Sequence, residues 1–424
     1  MFFTLLSIAF ALKPVILIHG HGGTKTYGHL TKNVDKCPQL DRYEVWPPNS
    51  AFADQYPDCI AYFLDTKIDD DGTVHLNPEV VLELNEFGDI SSIPAFQILA
   101  PYLEEKGYTR MKDLFGVPYN WITYPSGTPE LFPMLKEKIE KIVEENGEKA
   151  VLLGHSMGTH VVRTFINDFS SREWVRKYID GLVFNAPAFY GCFVPFSYTV
   201  TGRFSSLKYT DYVAEISRKM PSIQVMYNNY HAFKDTVVFA NTKSGNITSS
   251  NVQNYLIENG YISDEGQKLF KLIEKSLKED PVEPPVRSLI LYNSGIPTLV
   301  GYEGENLEKE IYGGGDTACH AGGPQYVCSK WKKAECVDWN INSGEYSHSP
   351  MLSRPEALDR IFQFINESGS VEPESESLAK KWTIAGIACA VVSAAVIVIM
   401  VIIGCRKTSK IDDYDSIKST NYYS

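Results

Sequence analysis

The chain has 424 residues, of which 44% are hydrophobic and 12% aromatic, enough for a large core in one or two domains. Its net charge is −12, and its main body contains no run of basic residues. These features argue against a nucleic-acid-binding protein, because such proteins cluster lysines and arginines on one surface.

The first eleven residues are almost entirely apolar and contain Ala9, Phe10 and Ala11, a pattern typical of signal-peptide cleavage sites. A positively charged start is missing, so the alternative is the first half of a buried strand. We interpret residues 1–11 as a signal peptide because a membrane-spanning segment is also predicted towards the other end of the chain.

Residues 14–18 are predicted to form a buried strand, and a loop rich in histidine and glycine follows at residues 19–23. A glycine-rich turn after a strand can aim a backbone N–H group at a developing negative charge. We predict that the backbone N–H groups of His21 and Met157 form an oxyanion hole. The imidazoles of His19 and His21 are expected to pack within the turn without an acid–base role.

Residues 150–158 form an apolar strand that ends in a G-x-S-x-G motif centred on Ser156, and helical spacing of apolar residues follows at 159–166. A strand that turns sharply into a helix exposes the serine of this motif as a nucleophile. Without that context the same residues would be an ordinary glycine-rich turn. The context therefore predicts a nucleophilic serine, which also needs a base and an orienting acid.

The acid and the base of an α/β-hydrolase follow the serine in that chain order. Asp316 comes after a predicted strand at residues 288–292 and lies in a predicted glycine-rich turn, so we choose it as the acid. The alternative is a turn aspartate that bonds its own backbone. His348, the last histidine, precedes an apolar helix at 355–365 and is chosen as the base. His320 is too close to Asp316 along the chain for this role.

Two of the eight cysteines lie at or beyond residue 389, and the others are Cys37, Cys59, Cys192, Cys319, Cys328 and Cys336. An even number suits an oxidising compartment. A bond between Cys37 and Cys59 would close a loop near the first strand. At least one disulfide among Cys319, Cys328 and Cys336 would hold the loops of Asp316 and His348 in register. A zinc site is the alternative, but the spacings do not match a metal knuckle, and we expect neither a metal nor a cofactor.

Residues 382–405 contain no charged residue and are rich in Val, Ile and Ala. At about 1.5 Å per residue, such a helix crosses a hydrocarbon core of about 30 Å. With a cleaved signal peptide, this predicts a single-pass type I membrane protein. Its ectodomain would be extracellular or lumenal, at the cell surface, endosome or lysosome. A Ser- and Glu-rich stalk at 367–381 and a cytoplasmic tail at 406–424 would flank the span.

Two short motifs agree with this topology. Asn246 and Asn366 begin N-glycosylation sequons. Tyr414 and Ile417 in the tail have the spacing of cytosolic sorting signals that bind an adaptor as an extended strand. The alternative for the tail is an inert polar segment.

Together these segments resemble the lecithin:cholesterol acyltransferase family, which includes the lysosomal phospholipase A2. The resemblance covers residues 13–365: the loop at 19–23, the Cys37 and Cys59 pair, the segment 117–121, the serine elbow, the strand at 180–187, Asp316 and His348. It implies an α/β-hydrolase fold with a mostly parallel sheet over residues 12–366. It also implies a lid at about 37–65 closed by a Cys37–Cys59 disulfide, and the region 190–285, which lacks a clear strand–helix rhythm, is interpreted as a cap. The chain departs from the family at Asn120, where the family has aspartate.

The resemblance implies that Ser156 takes an acyl chain from a glycerophospholipid and passes it to water or to a lipid alcohol. A phospholipid membrane is then the expected partner. The apolar run at 60–64 would either meet the bilayer or form a buried face. Two other functions stay open: a neutral-lipid lipase or esterase of the same fold, and a non-catalytic surface receptor. The intact set of Ser156, Asp316 and His348 argues against the receptor.

Overall fold

The computed structural model describes residues 11–304 and 306–367. The strands are Val15–Ile18 (β1), Thr26–Leu30 (β2), Tyr43–Trp46 (β3), Thr66–Ile68 (β4), Val74–Leu76 (β5), Val80–Glu83 (β6), Leu114–Val117 (β7), Ala150–His155 (β8), Ile179–Asn185 (β9), Val237–Thr242 (β10), Gly245–Thr248 (β11), Arg287–Tyr292 (β12), Ile296–Glu303 (β13), Lys309–Gly315 (β14) and Ala334–Asp338 (β15).

The α-helices are Ser50–Gln55 (α1), Pro57–Leu64 (α2), Leu99–Glu105 (α3), Leu131–Asn146 (α4), Met157–Thr164 (α5), Arg172–Tyr178 (α6), Val194–Thr201 (α7), Asp211–Ser217 (α8), Pro221–Gln224 (α9), Val252–Glu258 (α10), Asp264–Lys278 (α11), Gly322–Lys330 (α12) and Pro355–Asn366 (α13). Short 3-10 turns span Pro94–Phe96, Gly344–Tyr346 and Pro350–Ser353, and a π turn spans Phe165–Phe169.

The central element is a six-stranded sheet in the order β15-β12-β9-β8-β1-β7, with every neighbouring pair parallel. From β1 the chain moves outward to β7 and then returns to β8 on the opposite side of β1. Ile18 at the end of β1 is in register with Gly154 near the end of β8. The loops that follow β1 and β8 therefore meet at the point where the winding reverses, the usual place for a ligand site in such sheets.

Alternate residues of the sheet enter two separate apolar layers. In β1, Val15 and Leu17 join a cluster with α3 and α13, whereas Ile16 and Ile18 join a larger cluster on the other face. This is the period-two pattern of a strand buried on both faces. The larger cluster also contains residues of the lid and cap regions, such as Phe63 and Phe196, so these regions share the core of the hydrolase.

The lid segment packs inward. The apolar run at 60–64 lies in α2, where Ile60, Ala61, Phe63 and Leu64 are at most 1% exposed. Of the two alternatives for this run, the buried face is therefore the one observed, and the bilayer-facing one is wrong. Hydrophobicity alone cannot separate the two, because both environments favour the same side chains.

Between β9 and β12 the chain forms five helices, α7 to α11, and the hairpin β10–β11. None of these elements joins the central sheet, and β10 instead pairs with β13 in a second, four-stranded sheet. This segment occupies the range interpreted as a cap.

Three disulfides link the six cysteines that precede the predicted stalk. They join Cys37 to Cys59, Cys192 to Cys319, and Cys328 to Cys336. The first closes the lid loop, and the third ties α12 to β15 between the predicted acid and base. The pairing of Cys192 with Cys319 spans 127 residues and could not be chosen from spacing alone.

Several predictions concern residues that the structure does not describe: the signal peptide except for Ala11, the stalk after Glu367, the span at 382–405, and the tail with Tyr414 and Ile417. Among the described residues no helix is long and apolar enough to cross a membrane. Asn246 and Asn366, which begin the two sequons, are both exposed.

Candidate active site

Ser156 stands in a sharp turn between β8 and α5. Its backbone has φ 57° and ψ −129°, a conformation that a non-glycine residue adopts only when its surroundings enforce it. A Cβ atom on Gly158 would lie 2.1 Å from the carbonyl oxygen of Ile18, and one on Gly154 would lie 2.7 Å from that of Gly158. Because both positions exclude a side chain, strand and helix approach closely and the serine is held at the outside of the turn.

His348 bridges Ser156 and Asp316. Its Nε2 atom lies 2.7 Å from the Oγ atom of Ser156, and its Nδ1 atom lies 2.8 Å from Oδ2 of Asp316. The Asp316 side chain is buried, and that of His348 is 15% exposed. With a proton on Nδ1 shared with the carboxylate, the imidazole presents the Nε2 lone pair to the serine hydroxyl. This arrangement can remove the hydroxyl proton as the oxygen attacks a carbonyl carbon.

The glycines before Asp316 lie in a strand, whereas the sequence predicted a turn. Residues 313–315 belong to β14 rather than to a turn, and Asp316 follows the strand directly. A Cβ atom on Gly315 would lie 2.5 Å from the carbonyl oxygen of Cys319, and one on Gly314 would lie 2.5 Å from that of Ser294. The glycines therefore admit neighbouring backbone, while the approach of the carboxylate to His348 is set by the loop after the strand.

That loop fixes the Asp316 carboxylate through its second oxygen. Oδ1 accepts hydrogen bonds from the backbone N–H groups of Ala318, at 3.0 Å, and Cys319, at 2.7 Å. Cys319 is itself bonded to Cys192. The disulfide therefore connects the acid loop to the segment after β9, which passes beside the nucleophile: the backbone N–H of Ala188 donates to the Thr159 hydroxyl on α5 at 3.1 Å.

The histidines around the site differ in their ionisation. Burial alone would lower the pKa of His348, but the charge of Asp316 and the hydrogen bond to it outweigh burial and hold that pKa above its usual value. Burial lowers the pKa of His19 to about 4, and those of His21 and His155 to about 3. These three imidazoles stay neutral at neutral pH, so they place no second positive charge beside His348 when it becomes protonated.

The loop after β1 faces the serine. A Cβ atom on Gly20 would lie only 2.6 Å from the Cβ atom of Ser156, so His21, the next residue, begins close to the nucleophile. Met157 is the first residue of α5, where the backbone N–H has no partner within the helix. Within the described chain, neither of these N–H groups donates to another residue. Two free donors beside a nucleophile suit an oxyanion hole, the role predicted for them.

Sequence reasoning missed the residues that brace these loops. The hydroxyl of Tyr119 donates to the carbonyl oxygen of His19 at 3.0 Å, and the side chains of His155 and Asn185 are 3.0 Å apart. His155 and Asn185 are in register at the ends of neighbouring parallel strands, a signal that the strand order would have provided. At Asn120, where the family has aspartate, the side-chain oxygen still accepts from the N–H of Ile122.

A metal ion has no suitable ligand set at this site. Ligand atoms of Asp316, Cys319 and His348 lie within 4.8 Å of one another. However, Cys319 is in a disulfide, so it offers no thiolate, and the other two side chains are hydrogen-bonded to each other. The alternative of a cysteine-based zinc site is excluded for the same reason, since all six candidate cysteines are paired.

A parallel sheet with a serine elbow after its central strand, and an Asp–His pair within hydrogen-bonding distance of the serine, define an α/β-hydrolase of the serine type. A sequence model of the family described as "Lecithin:cholesterol acyltransferase" matches residues 81–279. The match covers just under half of the chain, so the chain is similar to this family over that part. The match contains Ser156 and ends before Asp316 and His348, which are placed at the site by the three-dimensional geometry.

Individual relatives agree with the family. The chain is 26% identical over 259 residues to phosphatidylcholine-sterol acyltransferase of Gallus gallus, covering 59% of this chain and 62% of that protein. It is 27% identical over 219 residues to lysosomal phospholipase A and acyltransferase of Bos taurus, covering 50% of this chain and 52% of that protein. The aligned part thus spans about half to three-fifths of the length of these relatives.

Solved structures are more distant. The Tle4-Tli4 complex contains a chain with a TM-score of 0.49 and 11% identity, covering 84% of this chain and 99% of its own. A monoacylglycerol lipase from Paleococcus ferrophilus has a TM-score of 0.31 and 15% identity, covering 66% of this chain and 91% of its own.

Proposed function

We propose that the protein is a serine-dependent phospholipase and O-acyltransferase that removes an acyl chain from a glycerophospholipid and passes it to water or a lipid alcohol. The observation that carries the proposal is the 2.7 Å contact between Nε2 of His348 and Oγ of Ser156, made at a nucleophile elbow in a segment similar to this family. The phospholipid and the alcohol are inferred from the names of the relatives, a sterol acyltransferase and a lysosomal phospholipase A and acyltransferase.

In the first half-reaction, His348 accepts the hydroxyl proton while Oγ of Ser156 attacks the ester carbonyl carbon. The carbonyl oxygen becomes negative and receives the N–H groups of His21 and Met157. The C–O bond to the glycerol then breaks, and His348 returns its proton to the departing lysolipid oxygen. The products are a lysophospholipid and an acyl ester on Ser156.

The second half-reaction repeats these steps with another nucleophile. His348 takes a proton from water or from the hydroxyl of a lipid alcohol, whose oxygen attacks the acyl ester. Collapse of the second tetrahedral species releases Ser156, which recovers its proton from His348. The products are a free fatty acid when water attacks and a new ester when an alcohol attacks. Throughout, the Asp316 side chain orients the imidazole through its 2.8 Å contact with Nδ1.

The test uses purified full-length protein and vesicles of phosphatidylcholine with a labelled acyl chain, with and without a long-chain alcohol. We expect labelled fatty acid in the first case and a labelled alcohol ester in addition in the second. Ser156→Ala should form neither product. Cleavage of triacylglycerol or a soluble ester with none of phosphatidylcholine would instead support the lipase or esterase alternative. Binding of lipid without any turnover would support the receptor.

The membrane topology is part of the same proposal. The uncharged segment 382–405, the exposed sequon residues Asn246 and Asn366, and three disulfides in the part before it all suit an extracellular or lumenal ectodomain on a type I anchor. Treatment with a glycosidase should shift the mobility of the protein from membrane fractions. Replacing both asparagines by glutamine should remove that shift, and a shift that survives would contradict use of these two sites.

The tail motif supports a separate proposal, which concerns the movement of the protein between membranes. If Tyr414 and Ile417 bind a sorting adaptor, the protein should cycle between the cell surface and internal acidic compartments. Tyr414→Ala should raise the surface fraction, measured with a membrane-impermeant label on intact cells. An unchanged surface fraction would leave the tail without a sorting role.

A further inference from the structure

An aromatic cluster joins the lid loop to the loop after β1. Trp46 is the last residue of β3 and lies inside the loop that Cys37 and Cys59 close. Its indole Nε1–H donates to the carbonyl oxygen of Gly22 at 2.8 Å. Its ring also packs edge-on against Trp121, with centroids 5.4 Å apart, and lies 5.7 Å from that of Phe204.

Gly22 belongs to the loop whose N–H we assign to the oxyanion hole. It follows His21 directly and has φ +61°, a left-handed conformation that favours glycine. A Cβ atom at this position would lie 2.5 Å from Nε1 of Trp46, so the absence of a side chain is what admits the indole. The hydrogen bond from Trp46 therefore holds the carbonyl group of the residue next to His21, whose N–H we assign to the oxyanion hole.

Several contacts hold this loop in place, and three of them are hydrogen bonds donated by Tyr119, Gly23 and Trp46. Tyr119 binds the carbonyl oxygen of His19, and the N–H of Gly23 binds the carbonyl oxygen of Gly20 at 3.1 Å, which closes the turn from within. The third contact is the one from Trp46. It is the only one of the three that is donated from the lid loop. Trp46 in β3 is also in register with Thr26 in β2, the strand that begins where the loop after β1 ends, so strand pairing supports the position of the indole.

Resting on the proposed function, we propose that Trp46 is a positioning residue that links the lid loop to the oxyanion hole. Its indole fixes the carbonyl of Gly22, and through the tight turn from Gly20 to Gly23 it fixes the direction of the His21 N–H. A donor that is misdirected by a fraction of an ångström still permits substrate binding but stabilises the tetrahedral transition state less well. Any movement of the lid loop would then move Trp46 and misdirect the His21 N–H at the same time.

The test is Trp46→Phe in the full-length protein, which keeps an aromatic ring beside Trp121 and Phe204 but removes the N–H donor. The matched control is Trp121→Phe in the same cluster: the phenyl ring can keep the aromatic contact with His21, whose ring lies 4.6 Å from that of Trp121, and the Trp121 indole N–H has no partner among the described residues. Turnover is measured on a soluble short-chain ester as well as on phosphatidylcholine vesicles, so that binding to a lipid surface does not enter the first measurement.

We expect Trp46→Phe to lower kcat by about 10- to 100-fold, which is less than the effect of removing an oxyanion donor completely. KM and the thermal unfolding midpoint should stay near those of the unchanged protein. Reaction of Ser156 with a phosphonate ester, which also forms a tetrahedral oxyanion, should slow by the same factor. Trp121→Phe should change kcat by less than about threefold, since no hydrogen bond is lost. Equal kcat values for Trp46→Phe and the unchanged protein would overturn the proposal.

A second variant covers the case in which Trp46→Phe does not fold. Gly22→Ala keeps the indole but places a methyl group 2.5 Å from its Nε1 atom, too close for the present contact, and it should lower kcat in the same way; full activity in this variant would overturn the proposal. The proposed function fails separately, because an unchanged protein that turns over neither the ester nor the phospholipid would contradict it before any variant is compared.

Discussion

The base and the acid of the site are joined through the main chain as well as through their side chains. The backbone N–H of His348 donates to the carbonyl oxygen of Asp316 at 2.7 Å, in addition to the 2.8 Å contact between Nδ1 and Oδ2. The loop after β15 is thus docked on the end of β14 by a bond that does not depend on any side chain. Substitution of Asp316 can therefore change the chemistry while leaving the position of the His348 backbone intact.

The first prediction concerns this pair. Asp316→Asn should keep the fold and the main-chain contact but favour the wrong imidazole tautomer, and we expect kcat to fall by about 10³- to 10⁴-fold. Combining it with His348→Ala should cost little more than His348→Ala alone, because residues that act as a unit are not additive. Steady-state kinetics and circular dichroism check both points. Additive losses would show that the two residues act independently.

The second prediction is a pH dependence. Only neutral His348 can accept the serine proton, so kcat/KM should rise with pH as His348 loses its proton. Since the Asp316 carboxylate raises this pKa above its usual value of 6.5, the acid limb should have its midpoint above pH 6.5. Asp316→Asn removes the raising influence and leaves burial, which lowers the pKa, so the midpoint of its residual activity should move to lower pH. A midpoint that does not move would mean that another group controls the limb.

The third prediction concerns the lid disulfide. The double change Cys37→Ser with Cys59→Ser should lower the free energy of unfolding by about 2–4 kcal/mol, since it opens a loop of intermediate length. Because α2 is buried and Trp46 lies within this loop, we expect activity to fall on a soluble ester and on vesicles alike. Cys328→Ser with Cys336→Ser is the control for the free energy of unfolding, as it opens a shorter loop that does not contain Trp46. A loss confined to vesicles would contradict the inward packing of the lid.

The fourth prediction concerns a buried cation between the lid and the cap. The ammonium group of Lys219 is 2% exposed and lies 2.9 Å from Asp65, 3.2 Å from Glu265 and 3.3 Å from Glu215. Lys219→Met would leave the buried Asp65 carboxylate with only the exposed Lys67, 3.9 Å away, as a cationic partner, and we expect a loss of about 3–5 kcal/mol in the free energy of unfolding.

Denaturant unfolding measures this loss. The control is Lys275→Met, which breaks an exposed pair with Glu279 and should leave the unfolding midpoint nearly unchanged. If both variants unfolded at the same denaturant concentration, Lys219 would not stabilise the junction.

Much of the site could be predicted because its signals are local. The alternation of strand and helix around Ser156 identifies the elbow, and the chain order of the hydrolase fold selects Asp316 and His348. The contacts that could not be predicted are non-local. The Cys192–Cys319 bond joins segments 127 residues apart, and the contact of Trp46 with Gly22 depends on how the lid loop folds back. The inward packing of α2 likewise depends on its contact with α8 of the cap, which lies more than a hundred residues later in the chain.

The central claim, that Ser156 carries the acyl chain of a phospholipid, is tested most directly by trapping the intermediate. Full-length protein is mixed with phosphatidylcholine vesicles, quenched in acid within the first turnovers and digested, and the peptide that contains Ser156 is weighed by mass spectrometry. We predict a mass increase equal to one fatty acyl group on Ser156, which disappears when the reaction runs to completion and never forms in Ser156→Ala. Release of lysophospholipid without an acyl group on Ser156, or an acyl group on another residue, would contradict the account.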